Sequence, residues 1–475
     1  MNYEYIGLTT AIFALSFALS FYLITALQWY SYKIERICFH FSKPLWHFYF
    51  LLLPSLVFAY SYKLFLLLFL PFCLILFIWH KKLDKKLVFT KKVKLFFVFN
   101  GLFVLFFALI IKDVDYRFSI LAPFLALFIL KIYSFFEARY FYKKAKKKIS
   151  SMKELQIILI TASYGKTSIK NFLYDLLKDD FLAYKTPRSV NTLMGIVQDI
   201  NENLSSDSEI YIAEAGARKK GDILEITKLL NPQLCIVGEI GSSHLEYFKN
   251  KENIRKTKLE ALSSKRLQKA FLHSSTKESE DEKKLIYDTR IKEVKASLDG
   301  LCFKMSLDEK ECEFKASLLG EFNAYNLCAC IICARYLGLS VDEIQKRLKN
   351  VKQVEHRLQI ISKEPKFIID DGFNGNFSGM SKSYELCKNY EGRRVLVSPG
   401  IMEVNDEENI KLAKIINKCF DLAIITSHKN AELFNKELSI EKIILKDKNE
   451  LVDTLAKVTQ NGDLVLFSND APNFM

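Results

Sequence analysis

The residues best equipped for chemistry lie between Gln156 and Lys170, in the stretch Q-I-I-L-I-T-A-S-Y-G-K-T-S-I-K. A loop of small residues can turn successive N–H groups toward an anion, with the positive end of a helix behind them. Lys166 can then reach the outer phosphates of a triphosphate, and the Thr167 hydroxyl can ligate magnesium. Ile157 to Ile160 is a short apolar run and Ile169 to Leu177 resumes at helical spacing, so the order reads strand, tight loop, helix. The usual G-x-x-x-x-G-K-[ST] loop has Gly where this chain has Ile160, so the spacing is not the common one.

Such a loop needs a sheet to carry it. Beyond Lys148, short β-rich runs alternate with helical ones: Ile157 to Ile160, Ile210 to Ala213, Leu234 to Val237, Ala270 to Leu272, Phe367 to Ile369, Arg394 to Val397, Leu422 to Ile425, Lys442 to Leu445 and Leu464 to Phe467. This alternation predicts parallel α/β sheets, and a break near residues 352 to 358 divides them in two.

Charge separates this part from what precedes it. Residues 1–150 hold 20 Lys and Arg against 6 Asp and Glu, a balance of +14 that equals the charge of all 475 residues. The remainder is neutral overall, which argues against a nucleic-acid partner. Ten cysteines show no disulfide framework. Cys328, Cys330 and Cys333 cluster in a helical run where 328 and 330 point to different faces, so they read as small buried hydrophobes, and reduced thiols suit a cytosolic catalytic half.

The basic balance belongs to a membrane region. Ile6 to Leu27, Leu45 to Trp79, Leu95 to Ile111 and Phe118 to Phe136 are long enough to span a bilayer, and the second, broken near Tyr62, is long enough for two spans. Five spans with the N-terminus outside place three basic loops in the cytoplasm: Lys33, Arg36 and Lys43; Lys81 to Lys94; and Lys143 to Lys148. The last run reads as a topology and lipid-headgroup signal. No span carries a mid-membrane acidic residue, so this region reads as an anchor in the lipid bilayer and not as a transport path.

An ordered series of motifs resembles the Mur ligases from about residue 155 to the C-terminus. It comprises T-A-S-Y-G-K-T-S-I-K, Ser189-Val190-Asn191-Thr192 with Gly195, Glu214-Ala215-Gly216-Ala217, Gly221-Asp222-Ile223, the run from Gly241 to Phe248, Lys256-Thr257-Lys258-Leu259-Glu260, Gly320 to Asn326, His356-Arg357, and Asp370-Asp371-Gly372-Phe373-Asn374-Gly375-Asn376. The resemblance implies a P-loop central ATPase domain followed by a Rossmann-like C-terminal domain. It divides the chain into a transmembrane anchor of about five helices (1–148), a central ATP-binding domain (149–354) and a C-terminal domain (355–475). The implied activity is amide-bond formation through an acyl phosphate, with ATP and Mg2+ as cofactors. Within the family the motifs are most like those of the member that adds D-Ala-D-Ala to UDP-MurNAc-tripeptide in peptidoglycan synthesis. The implied location is the inner membrane, multi-pass, with the catalytic half in the cytoplasm and other cell-wall enzymes as candidate partners.

By the same resemblance, Ser163, Tyr164, Gly165, Lys166, Thr167 and Ser168 would cradle the phosphates, and Thr167 and Glu214 would hold a first magnesium ion. His244 and Lys258 would serve a second, with Lys258 carbamylated because an ammonium cannot ligate a cation. Asn323 and Asn326 would contact adenine, Arg357 the phosphates and Asp370 the ribose, with the site closing as the last domain swings in. Ser189, Asn191 and Thr192 would face the nucleotide-sugar substrate, and Asn374 and Asn376 the incoming dipeptide.

The chain departs from the family at Ala162 (usually Gly), Phe322 (usually His), and Phe373 and Phe377 (usually Tyr and Pro). Its five spans stand where the family carries a soluble UDP-binding domain. Two other readings stay open from the residues: a ligase acting on a lipid-linked muropeptide, and a membrane scaffold with a degenerate nucleotide site.

Overall fold

In a computed structural model the chain forms two compact units, Met1–Tyr140 and Phe141–Met475. The described residues are 3–30, 32, 45–83, 86–110, 115–241, 245–402, 406–445 and 447–469.

The apolar segments are helical, and among the described residues four helices are long and apolar enough to cross a membrane: Tyr3–Trp29, Tyr62–Lys81, Lys91–Ile110 and Tyr116–Ser151. The expected fifth, Leu45–Tyr60, is shorter. At 1.5 Å per residue it spans about 24 Å against a hydrocarbon layer of about 30 Å, so among the described residues four of the five expected segments reach full spanning length and this one is shorter. A π-helical stretch, Phe48–Leu52, interrupts it. It ends at Ser61, whose extended backbone breaks the helix and whose hydroxyl accepts from the Leu64 N–H to start the next one. The predicted turn near Tyr62 is this break. Lys33, Arg36, Lys43, Lys85 and Lys112 lie outside the described residues.

Within this unit Tyr3–Trp29 and Lys91–Ile110 run antiparallel. The Tyr5 hydroxyl donates to the Ala108 carbonyl (3.0 Å), the Ser16 hydroxyl to Asn100 Oδ1 (2.9 Å), and Gln28 exchanges two bonds with the Val88 backbone.

Among the described residues the second unit contains two six-stranded sheets and a smaller three-stranded one. All nine predicted strands are present. β1 (Gln156–Thr161), β2 (Ala183–Lys185), β3 (Ile210–Glu214), β4 (Leu234–Val237), β5 (Lys269–Leu272) and β6 (Lys284–Ile286) form a parallel sheet in the order β2-β3-β1-β4-β5-β6. Alternate β1 residues serve opposite cores. Ile158 and Ile160 pack with Ile169, Phe172 and the helix Phe322–Tyr336, while Ile157 and Leu159 pack with Ile196, Ile200 and Ile226. That burial on both faces explains why the strand reads as a continuous apolar run. The order reverses at β1, and in open parallel sheets the crevice beyond the carboxyl end of such a strand is where ligands bind.

Three antiparallel strands unforeseen in the sequence follow: β7 (Ile291–Ser297), β8 (Gly300–Leu307) and β9 (Lys310–Ala316). The second sheet contains β10 (Gln359–Ser362), β11 (Phe367–Asp371), β12 (Arg394–Ser398), β13 (Leu422–Ile425), β14 (Glu441–Ile444) and β15 (Leu464–Ser468), ordered β10-β11-β15-β12-β13-β14 and parallel except for β10.

Cys328, Cys330 and Cys333 are buried and free on the helix Phe322–Tyr336. Cys328 Sγ donates to the Tyr287 carbonyl and Cys330 Sγ to that of Ile169, on different faces as expected.

A distant carboxylate starts the helix Asp222–Leu230. Gly221 (φ +94°) has no side chain to cap it, and Glu260 accepts from the Gly221 N–H (2.8 Å) and the Leu224 N–H (3.0 Å). Glu260→Ala is expected to lower the unfolding free energy by about 1–2 kcal/mol. Chemical denaturation followed by far-UV circular dichroism reads this, and an unchanged midpoint would show the cap to be idle.

Candidate active site

The loop after β1 closes tightly on its surroundings. Gly165 sits at φ +76°, and a Cβ there would stand 2.5 Å from Asn326 Oδ1, so both the backbone and the space demand glycine. Ser163 is fixed by its N–H to the Glu239 carbonyl (2.8 Å) and by its hydroxyl to that of Gly241 (3.3 Å). The Tyr164 ring lies where any Cβ at Gly241 would be, at 2.1 Å. Gly165 then caps the helix Lys166–Leu177, whose first-turn N–H groups have no intrahelical acceptor. Ser168 is buried in that turn.

Lys166 folds back over the loop, donating to the carbonyls of Ala162 (2.8 Å) and Ser163 (3.3 Å). Burial lowers its pKa, Glu214 opposes that shift, and the Arg357 charge adds to it.

Glu214, 1% exposed at the end of β3, is the centre of the cluster. Its Oε2 accepts from the Thr167 hydroxyl (3.0 Å) and pairs with Lys170 Nζ (3.1 Å), and its Oε1 accepts from Asn191 Nδ2 (3.1 Å). Lys170 also donates to the Arg188 carbonyl, and burial pulls its pKa down against the pull of Glu214. The sequence reading gave Lys170 no role. Its position one helical turn after Lys166 was the available signal.

Lys258 comes from the helix Lys251–Leu259, where it shares the buried face with Ile254 four residues earlier. It is 3% exposed, and among the described residues its ammonium has no hydrogen-bond or ion-pair partner. Burial sets its pKa well below the ordinary lysine value, and Lys166 lowers it further. Glu214, Asp222 and Glu260 act in the opposite sense. His244 lies outside the described residues.

Arg357 enters between two residues in left-handed conformations, His356 (φ +59°) and Leu358 (φ +49°). Such conformations are strained for residues other than glycine. Asp370 and Asp371 hold the arch: Asp370 Oδ2 lies 2.5 Å from His356 Nδ1, and Asp371 Oδ1 accepts from the Leu358 N–H (3.0 Å). Arg357 Nη1 donates to the Phe373 carbonyl (3.1 Å), and its charge is felt at Lys166 and Glu214.

The other expected residues divide. Asn326 donates to Asn323 Oδ1 (3.0 Å), and Asn323 ties back to the Leu319 carbonyl (2.8 Å), so Asn326 joins the phosphate-loop cluster. Both oxygens of Asp370 are used within the chain, since Oδ1 accepts from the Gly372 N–H (2.8 Å). Asn374 donates to Asp371 (2.8 Å), and Asn376 donates to Asn374 and caps the helix Phe377–Cys387, so both amides shape their own loop. Thr192 caps the helix Leu193–Glu202, and Ser189 is exposed.

Thr167 and Glu214 offer a hydroxyl and a carboxylate at one point, an all-oxygen donor set that fits a hard divalent ion such as magnesium. Among the described residues no three His, Cys, Asp or Glu side chains gather as a metal cluster.

Residues 160–334 match the Mur ligase middle domain. The UDP-N-acetylmuramoyl-tripeptide–D-alanyl-D-alanine ligase of Bacillus subtilis (strain 168) is 24% identical over 342 residues, covering 66% of this chain and 72% of that protein. The protein of the same name from Borreliella burgdorferi is 24% identical over 306 residues, 60% of this chain and 65% of its own length. Among solved structures, the MurF ligase from Thermotoga maritima in complex with ADP superposes with a TM-score of 0.61 at 23% identity, over 70% of this chain and 80% of that one. At that identity the likeness is one of fold, and it covers more of the chain than residues 160–334.

A buried, unpartnered lysine opposes folding. Between its depressed folded pKa and the ordinary value the unfolded chain binds more protons, so this contribution to stability rises with pH. Lys258→Met is therefore expected to raise the melting temperature at pH 7 in carbon dioxide-free buffer, with the gain shrinking toward about pH 10. Thermal unfolding at several pH values reads it, and a variant no more stable than the parent at pH 7 contradicts the burial argument.

Proposed function

From a chain that carries a Mur ligase middle domain, we propose an ATP-dependent ligase that adds D-Ala-D-Ala to UDP-MurNAc-tripeptide in peptidoglycan precursor synthesis. The observation that carries this reading is the meeting of Lys166, Lys170, Lys258 and Arg357, from three places along the chain, around the one carboxylate of Glu214. Lys170 and Lys258 are buried while Lys166 and Arg357 are half-buried; such an excess of positive charge is costly unless an anion joins it, and a triphosphate supplies several negative charges.

Joining a carboxylate to an amine in water is uphill. In the proposed reaction the γ-phosphoryl of ATP passes to the terminal carboxylate of the tripeptide, releasing ADP. The amine of D-Ala-D-Ala then attacks the acyl phosphate, forms the amide, loses a proton and expels phosphate. The protein contributes position and charge instead of a nucleophile. Lys166 turns from its loop carbonyls to the β and γ phosphates, the first-turn N–H groups of the helix Lys166–Leu177 receive phosphate oxygens, and Arg357 approaches from the second sheet.

Thr167 and Glu214 would hold a magnesium ion, and His244 with a carbamylated Lys258 a second; bound there, they would neutralise phosphate charge. The depressed pKa of Lys258 supports the modification. Carbamylation needs the neutral amine, whose lone pair adds to carbon dioxide as a proton leaves.

In this reading β1 and its loop form the P-loop of a central domain, residues 149–354, and residues 355–475 form a Rossmann-like domain. The four long apolar helices together with the shorter Leu45–Tyr60 support a multi-pass membrane location, and with five crossings the basic loops and the ligase half fall in the cytoplasm.

Detergent-purified chain incubated with UDP-MurNAc-tripeptide, D-Ala-D-Ala and MgATP should release phosphate only when all three are present. Lys166→Ala should reduce kcat/KM for ATP by about 10²- to 10³-fold with folding intact. Phosphate release indifferent to both peptide substrates, or an unaffected Lys166→Ala variant, would sink the assignment.

A further inference from the structure

The membrane unit holds a groove of about 490 Å³ between the antiparallel helices Tyr3–Trp29 and Lys91–Ile110, lined by Phe13, Phe17, Phe97, Asn100, Gly101 and Val104, with Phe89 and Lys94 at one end. Its wall is aromatic. The Phe97 ring lies 6.0 Å from both Phe17 and Phe89, nearly parallel to the latter.

Three features distinguish this groove from a chance gap in helix packing. Asn100 is 6% exposed and lines the groove. Its Oδ1 accepts from Ser16, while among the described residues its Nδ2 has no acceptor. An unused amide donor inside a membrane is costly, so an acceptor is expected to meet it from the groove. Gly101 has no heavy atom within 4 Å of where its Cβ would stand. Glycine in a helix costs about 1 kcal/mol against alanine, and no neighbour within the chain explains it here. Lys94 is exposed at the basic end and has no acidic partner among the described residues.

The groove is lined by aromatic and aliphatic side chains, with the Lys94 cation at one end and the Asn100 amide within it, so it complements a molecule that joins an anionic head to an apolar tail.

We propose that this groove is a binding slot for one anionic phospholipid. Its phosphate meets Lys94, an ester carbonyl accepts from Asn100 Nδ2, and one acyl chain runs past Gly101 toward Val104. The charge complementarity follows from Lys94, and the apolar run beyond Asn100 follows from the tail.

The test uses the full chain in detergent, equilibrated with phosphatidylglycerol or phosphatidylcholine and analysed by native mass spectrometry. The parent should retain one lipid per chain, with phosphatidylglycerol favoured by about fivefold. Gly101→Leu, which fills the slot, should lose the lipid of either kind. Lys94→Glu, an exposed change that leaves packing alone, should retain a lipid and reverse the headgroup preference. Unchanged retention by Gly101→Leu, equal retention of both headgroups by the parent, or a chain dimer that Gly101→Leu dissociates would overturn the proposal, the last by seating a helix where a lipid is placed. Should Gly101→Leu fail to fold, an unaltered preference in Lys94→Glu is enough to reject it.

Discussion

Glu214 is buried at the end of β3 and answers to Thr167, Lys170 and Asn191 at once. Its pairing with Lys170, both side chains 1% exposed, is the interaction on which the arrangement rests. Removing one partner of such a pair strands a charge in low dielectric, at about 3–5 kcal/mol. The pair joins the first helix after β1 to the end of β3, and Asn191 brings in the segment before the helix Leu193–Glu202. With those three fixed, Lys166 and Lys258 have few places to go. The sheet supplies the floor, but this carboxylate sets how closely the cations approach.

Much of this was legible in the residues. The loop around Gly165 announced itself because a strand, a Gly-Lys-Thr and a helix have distinct periodicities, and most of the nine parallel strands named in advance are buried apolar runs, the edge strand β14 being the half-exposed exception. β7, β8 and β9 were not legible. Lys295, Lys304 and Lys315 make them read as charged loop, yet each strand shows one face to solvent and pairs in hairpins. Edge strands β2 and β10 are too short, and too little buried, to leave a pattern. The break in the long apolar run from Leu45 to Trp79 was legible near Tyr62, but the unequal lengths into which Ser61 divides it were not.

The site residues follow the same division. Lys166, Thr167, Glu214 and Lys258 were named from motifs and do converge in space, because each stands at a strand end or on a buried helix face. Asp370, Asn374, Asn376 and Thr192 were named with them, yet their side chains are occupied in holding loops and helix starts. A polar residue in a motif can serve the ligand or the backbone, and spacing alone does not separate the two. His356 and Asp371 show the converse: neither was assigned a task, and both hold the strained arch that aims Arg357. Left-handed backbone at a histidine is invisible in one sequence.

The missing Cβ at position 165 has a mechanical meaning. Because Asn326 fills the space that any side chain there would take, the phosphate loop and the long helix beginning at Phe322 are held at van der Waals separation, with no room for solvent between them. The two are therefore set in register by direct contact, and the shape of the loop is fixed in part by a residue far along the chain.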